Sequence, residues 1–285
     1  MRARLHISTA ATTTATIRKH SNHDARRQDS RSGTYDPEKN AFDKYPKRTS
    51  WNNVPSALKA PSDIMEVYSR PRIVPQAVAR GMIGELSVDL VTGYNMNLPE
   101  VVSTVVAEVC YRRPKVLVVS PPCTMFSALQ VMWNLKKMTP EVKETRMNEA
   151  LHHLNSSMEL CRIQWEGKRG FIFEHPDRAT SWAQPSVEAV ARLPGVHIIK
   201  FDQCRFGLRS PDNTGPLRKS TKFLTNMPSV VDRFNNVRCA CQEAHTHIKG
   251  RQNGVRISSF AQCYPKPMVT AIVDASKQFV ENRIG

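Results

Sequence analysis

Four consecutive aliphatic residues, Val116-Leu117-Val118-Val119, run straight into Ser120-Pro121-Pro122-Cys123, and this junction limits the folds open to the chain more than any other stretch. A strand that is apolar on both faces shows no polar alternation, so it belongs inside a parallel sheet covered on both sides. Two prolines then remove backbone donors and end the ladder, which leaves Cys123 on a stiff loop at the strand's carboxyl end. Open α/β sheets bind ligands beyond those ends. A cysteine held there reads as a nucleophile; the plainer alternative is one more small buried hydrophobe, since a thiol must be ionised and reachable to react.

The flanking sequence alternates strand and helix signals. Residues 64–68 and 86–90 read as strands, residues 74–80 as a helix closed by Gly81, and residues 98–111 as a helix with Pro99 near its start. Downstream, Thr139-Pro140 opens a long helix to about residue 165, with Cys161 on its apolar stripe and His152 and His153 facing solvent or partly packed. Residues 186–193 form a further helix and residues 197–201 a further strand. Such alternation predicts an α/β fold: an open, mostly parallel sheet with helices on both faces.

Residues 170–176, GFIFEHP, repeat the design of the Cys123 strand: an apolar run, a polar residue at its end, then a proline. A carboxylate at the end of an apolar strand is costly unless paired or used, which makes Glu174 the second candidate for chemistry beside its alternative as a capping or ion-paired acid. Residues 218–225 alternate basic and apolar side chains in the manner of an exposed edge strand. Cys239, Cys241, His245 and His247 place four soft or borderline ligands within nine residues, a cluster that could enclose zinc, with Cys263 as a substitute ligand. Surface chance and a partial redox pair are the competing explanations.

Residues 1–60 are rich in Thr, Ser, Asn, Arg and Lys and carry hardly any apolar periodicity, the pattern of a disordered basic tail. The expected organisation is therefore the tail at 1–60, an α/β core at 61–226, a small Cys/His insert at 227–262 and a closing helix of the core at 263–285. A formal charge of +16 favours a polyanionic partner, nucleic acid above all. No apolar run reaches the ~20 residues of a membrane span. Seven irregularly spaced cysteines without a secretory signal fit a reducing, intracellular compartment. The faint likeness of the N-terminus to an organelle transit peptide competes with a plain basic tail.

Pro122-Cys123-Thr124-Met125-Phe126-Ser127 resembles the catalytic loop of DNA cytosine-5 methyltransferases, and from about residue 61 onward the parts follow that family's order. The resemblance implies a class I methyltransferase-like core, with Cys123 as nucleophile and Glu174 bonding the target cytosine. Glu66, Tyr68, Ser69, Asp89, Asn95 and Pro122 then stand at positions around S-adenosylmethionine. Ser127, Arg218, Lys219 and Lys222 stand at nucleic-acid contacts, DNA before RNA, and the nucleus becomes the expected location. Two departures accompany it. Arg70-Pro71-Arg72 replaces the family's glycine loop, where arginines either obstruct the cofactor or grip its carboxylate, and the large target-recognition domain is missing. The alternative implied by both is a catalytically inactive relative serving as a nucleic-acid-binding module, as a mobile element would carry.

Overall fold

The computed structural model describes residues 62–128 and 135–283. The expected basic tail lies outside the described residues. Six strands form one sheet: β1 (Ile64–Val67), β2 (Gly84–Val88), β3 (Val116–Val119), β4 (Gly170–Pro176), β5 (His197–Asp202) and β6 (Ser220–Thr225), in the order β2-β1-β3-β4-β6-β5. β1 to β4 are mutually parallel, and β6 runs antiparallel to both β4 and β5. The sheet is thus mostly parallel, as the alternation predicted.

The all-apolar strands are explained by what covers them. Val116, Val118 and Ile172 face one cluster with α1 (Ile73–Val78), α5 (Pro228–Phe234) and α7 (Lys266–Glu281); Leu117, Val119, Phe171 and Phe173 face the other, with α2 (Pro99–Arg112), α3 (Pro140–Glu166) and α4 (Pro185–Ala191). Successive residues of a strand point to opposite faces, so a strand with a helical layer on each side must be apolar at every position.

One expectation fails here. Residues 220–225 are not an exposed edge: β6 lies between β4 and β5, with Thr221, Phe223, Leu224 and Thr225 fully buried. Its basic residues are tolerated because acids meet them. Lys222 Nζ lies 3.4 Å from Asp177 and over the Trp182 ring, and Lys200 on the neighbouring strand is 2.5 Å from the same Asp177. The insert is also shorter than expected, because Met227, Val230 and Phe234 pack into the first cluster with α7. What remains, residues 238–262, holds only β7 (Arg251–Gln252), β8 (Val255–Arg256) and α6 (Ile257–Phe260).

β1 connects to β2 on one side through α1, and β2 then returns past β1 to β3 through α2 on the opposite face. The chain therefore reverses direction between β1 and β3. At such a switch point the two connections diverge and leave a crevice at the carboxyl ends of the strands.

Candidate active site

A cleft of about 610 Å³ occupies that crevice. Its lining comes from the turn after β1 (Tyr68, Ser69, Arg70, Arg72), the turn after β2 (Asp89, Leu90, Tyr94, Asn95), the loop after β3 (Ser120 to Thr124), Glu174 of β4, Lys219, and a wall from residues 255–264. Cys123 and Glu174, paired from sequence because both end an apolar strand, open into this one space.

The Cys123 loop is fixed from both ends. The Ser120 N–H donates to Val67 O of β1, and Met125 and Phe126 are buried in the second core cluster. Burial first, and then the neighbouring Glu174 carboxylate, push the Cys123 thiol above its ordinary value, while Lys219 offsets part of this. Glu174 is buried, and its Oε1 has no hydrogen-bond partner among the described residues; the nearest cation is Lys219 Nζ, at 3.7 Å. Lys219 also donates to Ala261 O and lies 5.9 Å from the Tyr264 ring centre. The Tyr264 hydroxyl shares a 2.7 Å hydrogen bond with Ser120, and burial, then Glu174, hold its phenol well above the usual range. At neutral pH this phenol is an O–H donor.

On the β1 and β2 side, Tyr68 adopts φ +59°, a backbone conformation that costs a non-glycine residue on the order of 1 kcal/mol and turns the chain sharply off the strand. Its hydroxyl is 3.2 Å from His153 Nδ1, and burial, then His152, lower the His153 pKa to about 4. His153 is neutral at physiological pH. Asp89 caps the short turn Leu90–Thr92 by accepting from Val91 N–H, and beside it Leu90 is 70% exposed at the cleft.

Several sequence candidates sit elsewhere. Glu66 is fully buried and does not line the cleft: its carboxylate accepts from the N–H groups of Arg72, Ile73 and Val74 and from the Ser87 hydroxyl. It caps α1, whose own N-cap residue supplies no side-chain bond. Ser127 donates to Thr124 O in its own turn, and Lys222 is engaged with Asp177; neither lines the cleft. Arg218 is exposed next to Lys219 and is likewise outside it. Tyr68, Ser69, Asp89, Asn95, Pro122 and Lys219 all line it.

The residues that sequence reasoning missed are Tyr264, Ser120 and His153. His153 was expected to be solvent-facing or partly packed, yet it is buried on the long helix and reaches Tyr68 across 85 residues of chain. No local pattern marks such a pairing. His175, next to Glu174, has no exposed surface, shares its Nδ1 with Ser181 and does not line the cleft.

Comparison with models of protein families gives no match for this chain, and no curated protein matches it.

The second cluster of reactive side chains differs from the expected one. Cys204, Cys239, Cys241 and His245 bring their ligand atoms within 4.8 Å of one another, a group that could hold a metal ion. Cys204, from the turn Gln203–Phe206 after β5, takes the place expected for His247, which is exposed and outside the group. Cys263, the substitute expected from sequence, lies in the main cleft, where Arg72 Nη2 approaches its Sγ to 2.9 Å. None of the four lines the cleft.

Among the described residues no helix is long and apolar enough to cross a membrane.

Proposed function

We propose that this chain is a compact cytosine-5 methyltransferase-like enzyme acting on nucleic acid. The observation that carries the reading is the opening of Cys123 and Glu174 into one cleft at the switch point of a mostly parallel sheet, with Glu174 Oε1 buried and lacking a hydrogen-bond partner among the described residues. A buried carboxyl oxygen without a donor is costly, and a ligand that brings an N–H removes the cost. The exocyclic amine of cytosine offers that N–H, and N3 offers a second once the ring is protonated.

In this reading the base leaves the stack to enter the cleft, and the Cys123 thiolate adds to C6 while Glu174 holds the ring's polar edge and stabilises the charge that develops there. Saturating C6 makes C5 nucleophilic; C5 would take the methyl group from a sulfonium donor, which leaves as a thioether. Loss of the C5 proton to a base, with departure of the Cys123 sulfur from C6, would restore the ring double bond and the free thiol. Lys219 faces Glu174 and favours the thiolate. Ser120 and Tyr264 place a phenolic O–H on the same wall.

S-adenosylmethionine would supply the methyl group. The residues on the β1 and β2 side fit it: Asp89 for the ribose hydroxyls, the exposed Leu90 face for a flat base, and Arg70 and Arg72 for a carboxylate. The cleft volume is in the ordinary range for a ligand of that size. The chain's positive charge supplies phosphate contacts, and DNA as substrate would place the protein in the nucleus or a DNA-containing organelle.

A second reading has its own support. The raised Cys123 thiol and the Arg70-Pro71-Arg72 turn in place of glycines suit an inactive relative that binds nucleic acid without transferring a methyl group. Mass spectrometry of the protein incubated with a 5-fluorocytosine duplex and S-adenosylmethionine separates the two. A covalent adduct at Cys123 is expected; saturable cofactor binding without any adduct, or no binding at millimolar cofactor, overturns the enzyme.

A further inference from the structure

We propose that Cys204, Cys239, Cys241 and His245 bind one zinc ion in a closed tetrahedral site, and that this ion fastens residues 238–262 to the end of β5. The ligand atoms lie within 4.8 Å of one another, with Cys239 Sγ 3.4 Å from His245 Nε2. Bonds of about 2.3 Å to sulfur and 2.0–2.1 Å to nitrogen require neighbouring ligand atoms at this kind of separation. Three thiolates and an imidazole are soft donors, a set that selects zinc over magnesium or calcium. Four protein ligands leave no open position, so the ion is structural.

The surroundings support a thiolate-rich centre. The Cys241 N–H points at Cys239 Sγ at 3.5 Å, a bond that stabilises sulfur carrying negative charge. The Cys239 N–H donates to Asp202 Oδ2, which orients the first ligand from the last residue of β5. Asp202 is itself held by Ser220 and Arg238. The pair Cys239-x-Cys241 is too tight to place all its ligands alone, and the distant Cys204 completes the set.

The insert has little else to hold it in place. Ile257 and Ala261 meet Leu208 and Leu217 in a small apolar cluster with Ile248 packed against it, and its two strands have two residues each. Its polar ties to the core include the Thr246 N–H to Pro216 O bond and an exposed Arg209–Glu243 ion pair. Units with so little core need a disulfide or a metal to hold one conformation. This same segment supplies Val255, Ser259, Phe260 and Gln262 to the cleft. Zinc loss therefore loosens one wall of the cleft while leaving its strand-tip floor intact.

The test uses the full chain and does not depend on methyl transfer. Native mass spectrometry and elemental analysis of the desalted protein should find one zinc per chain. Replacement by cobalt should give the visible bands of a tetrahedral site, with charge-transfer intensity for three thiolates. Cys204→Ser should weaken metal binding beyond the roughly 10- to 100-fold that loss of an outer-shell partner costs, and His247→Ala should leave it unchanged. If Cys204→Ser does not fold, the thiolate count from wild-type cobalt intensity still decides the ligand set. A chain that retains no zinc, a two-thiolate spectrum, or loss of metal in His247→Ala with retention in Cys204→Ser overturns the proposal.

Discussion

β3 and β4 reach the cleft from between two large apolar clusters, and every residue of β3 and all but the last of β4 are buried. Residues 238–262 reach the same cleft from the opposite side on a handful of apolar side chains and a set of three cysteines and a histidine. The first region places Cys123 and Glu174 by packing, which has no adjustable part. With zinc bound as proposed above, the second places Phe260 and Gln262 through ligand chemistry, which chelators, oxidants and acid would undo. A site with one packed side and one tethered side can keep its reacting groups fixed while its wall is removed.

The largest effects should come from the packed side. Cys123→Ser should reduce methylated product by more than about 10⁴-fold and leave the melting temperature close to wild type, because a hydroxyl fills the thiol's place without becoming a nucleophile. Glu174→Gln should cost about 10²- to 10⁴-fold in product formation. Product unchanged in either variant removes the covalent mechanism. Chelation should act differently: it should lower the melting temperature and expose residues 238–262 to protease, while Cys123 stays in place. If chelator and Cys123→Ser produced the same pattern, the division between floor and wall would be wrong.

Glu66 provides a sharper probe of the packed side. Its carboxylate satisfies three N–H groups at the start of α1, so Glu66→Ala should destabilise the fold by about 2–4 kcal/mol and lower the melting temperature by about 5–15 °C. At a temperature where both proteins are folded, cofactor affinity should be unchanged. A fall in affinity with full stability would return Glu66 to the cofactor site.

How much of this was visible in the sequence follows the same division. Val116–Val119 and Gly170–Pro176 announced themselves, because a strand covered on both faces has one compositional solution, and the two chemical residues sit at their ends. The 218–225 stretch misled, since its alternation of basic and apolar residues read as an exposed edge when Lys219 is met by Glu174 of β4 and Lys222 by Asp177 just beyond β4. Cys204 was hidden for a related reason. Spacing reveals only ligands close in the chain, and His247 fitted the spacing while Cys204 fitted the space. Pairings of distant polar residues, such as Tyr68 with His153, leave no periodic trace.

Acid should also separate the regions, with a smaller effect. His153 and His175 are held neutral by burial, with pKa values lowered to about 4 and about 3, whereas the unfolded chain takes up a proton on each near 6.5. Between pH 6.5 and about 4 the unfolded state therefore binds more protons, and stability must fall as pH falls. Both residues pack in the second layer, so this loss belongs to the core. Denaturant titrations at pH 7 and pH 5 should show lower stability at pH 5, with the difference reduced in His153→Asn. A stability independent of pH over this window would mean that both rings are hydrated.

The smallest effect tests the electrostatics around Cys123 directly. Burial and the Glu174 carboxylate both raise its pKa, so the rate of alkylation by iodoacetamide should still be climbing above pH 9.0, the ordinary value for a thiol. Lys219 acts in the opposite sense. Lys219→Met removes the nearby cation and should move the profile to higher pH, whereas Glu174→Gln removes the nearby anion and should move it to lower pH. Zinc removal should leave the midpoint where it was, because none of the cluster residues contributes to the field at Cys123. Shifts of the same sign in the two variants would show that burial changes, and not charge, set the thiol. A midpoint that moves with zinc would show that the wall helps to bury the nucleophile, and the independence of the two sides of the cleft would be lost.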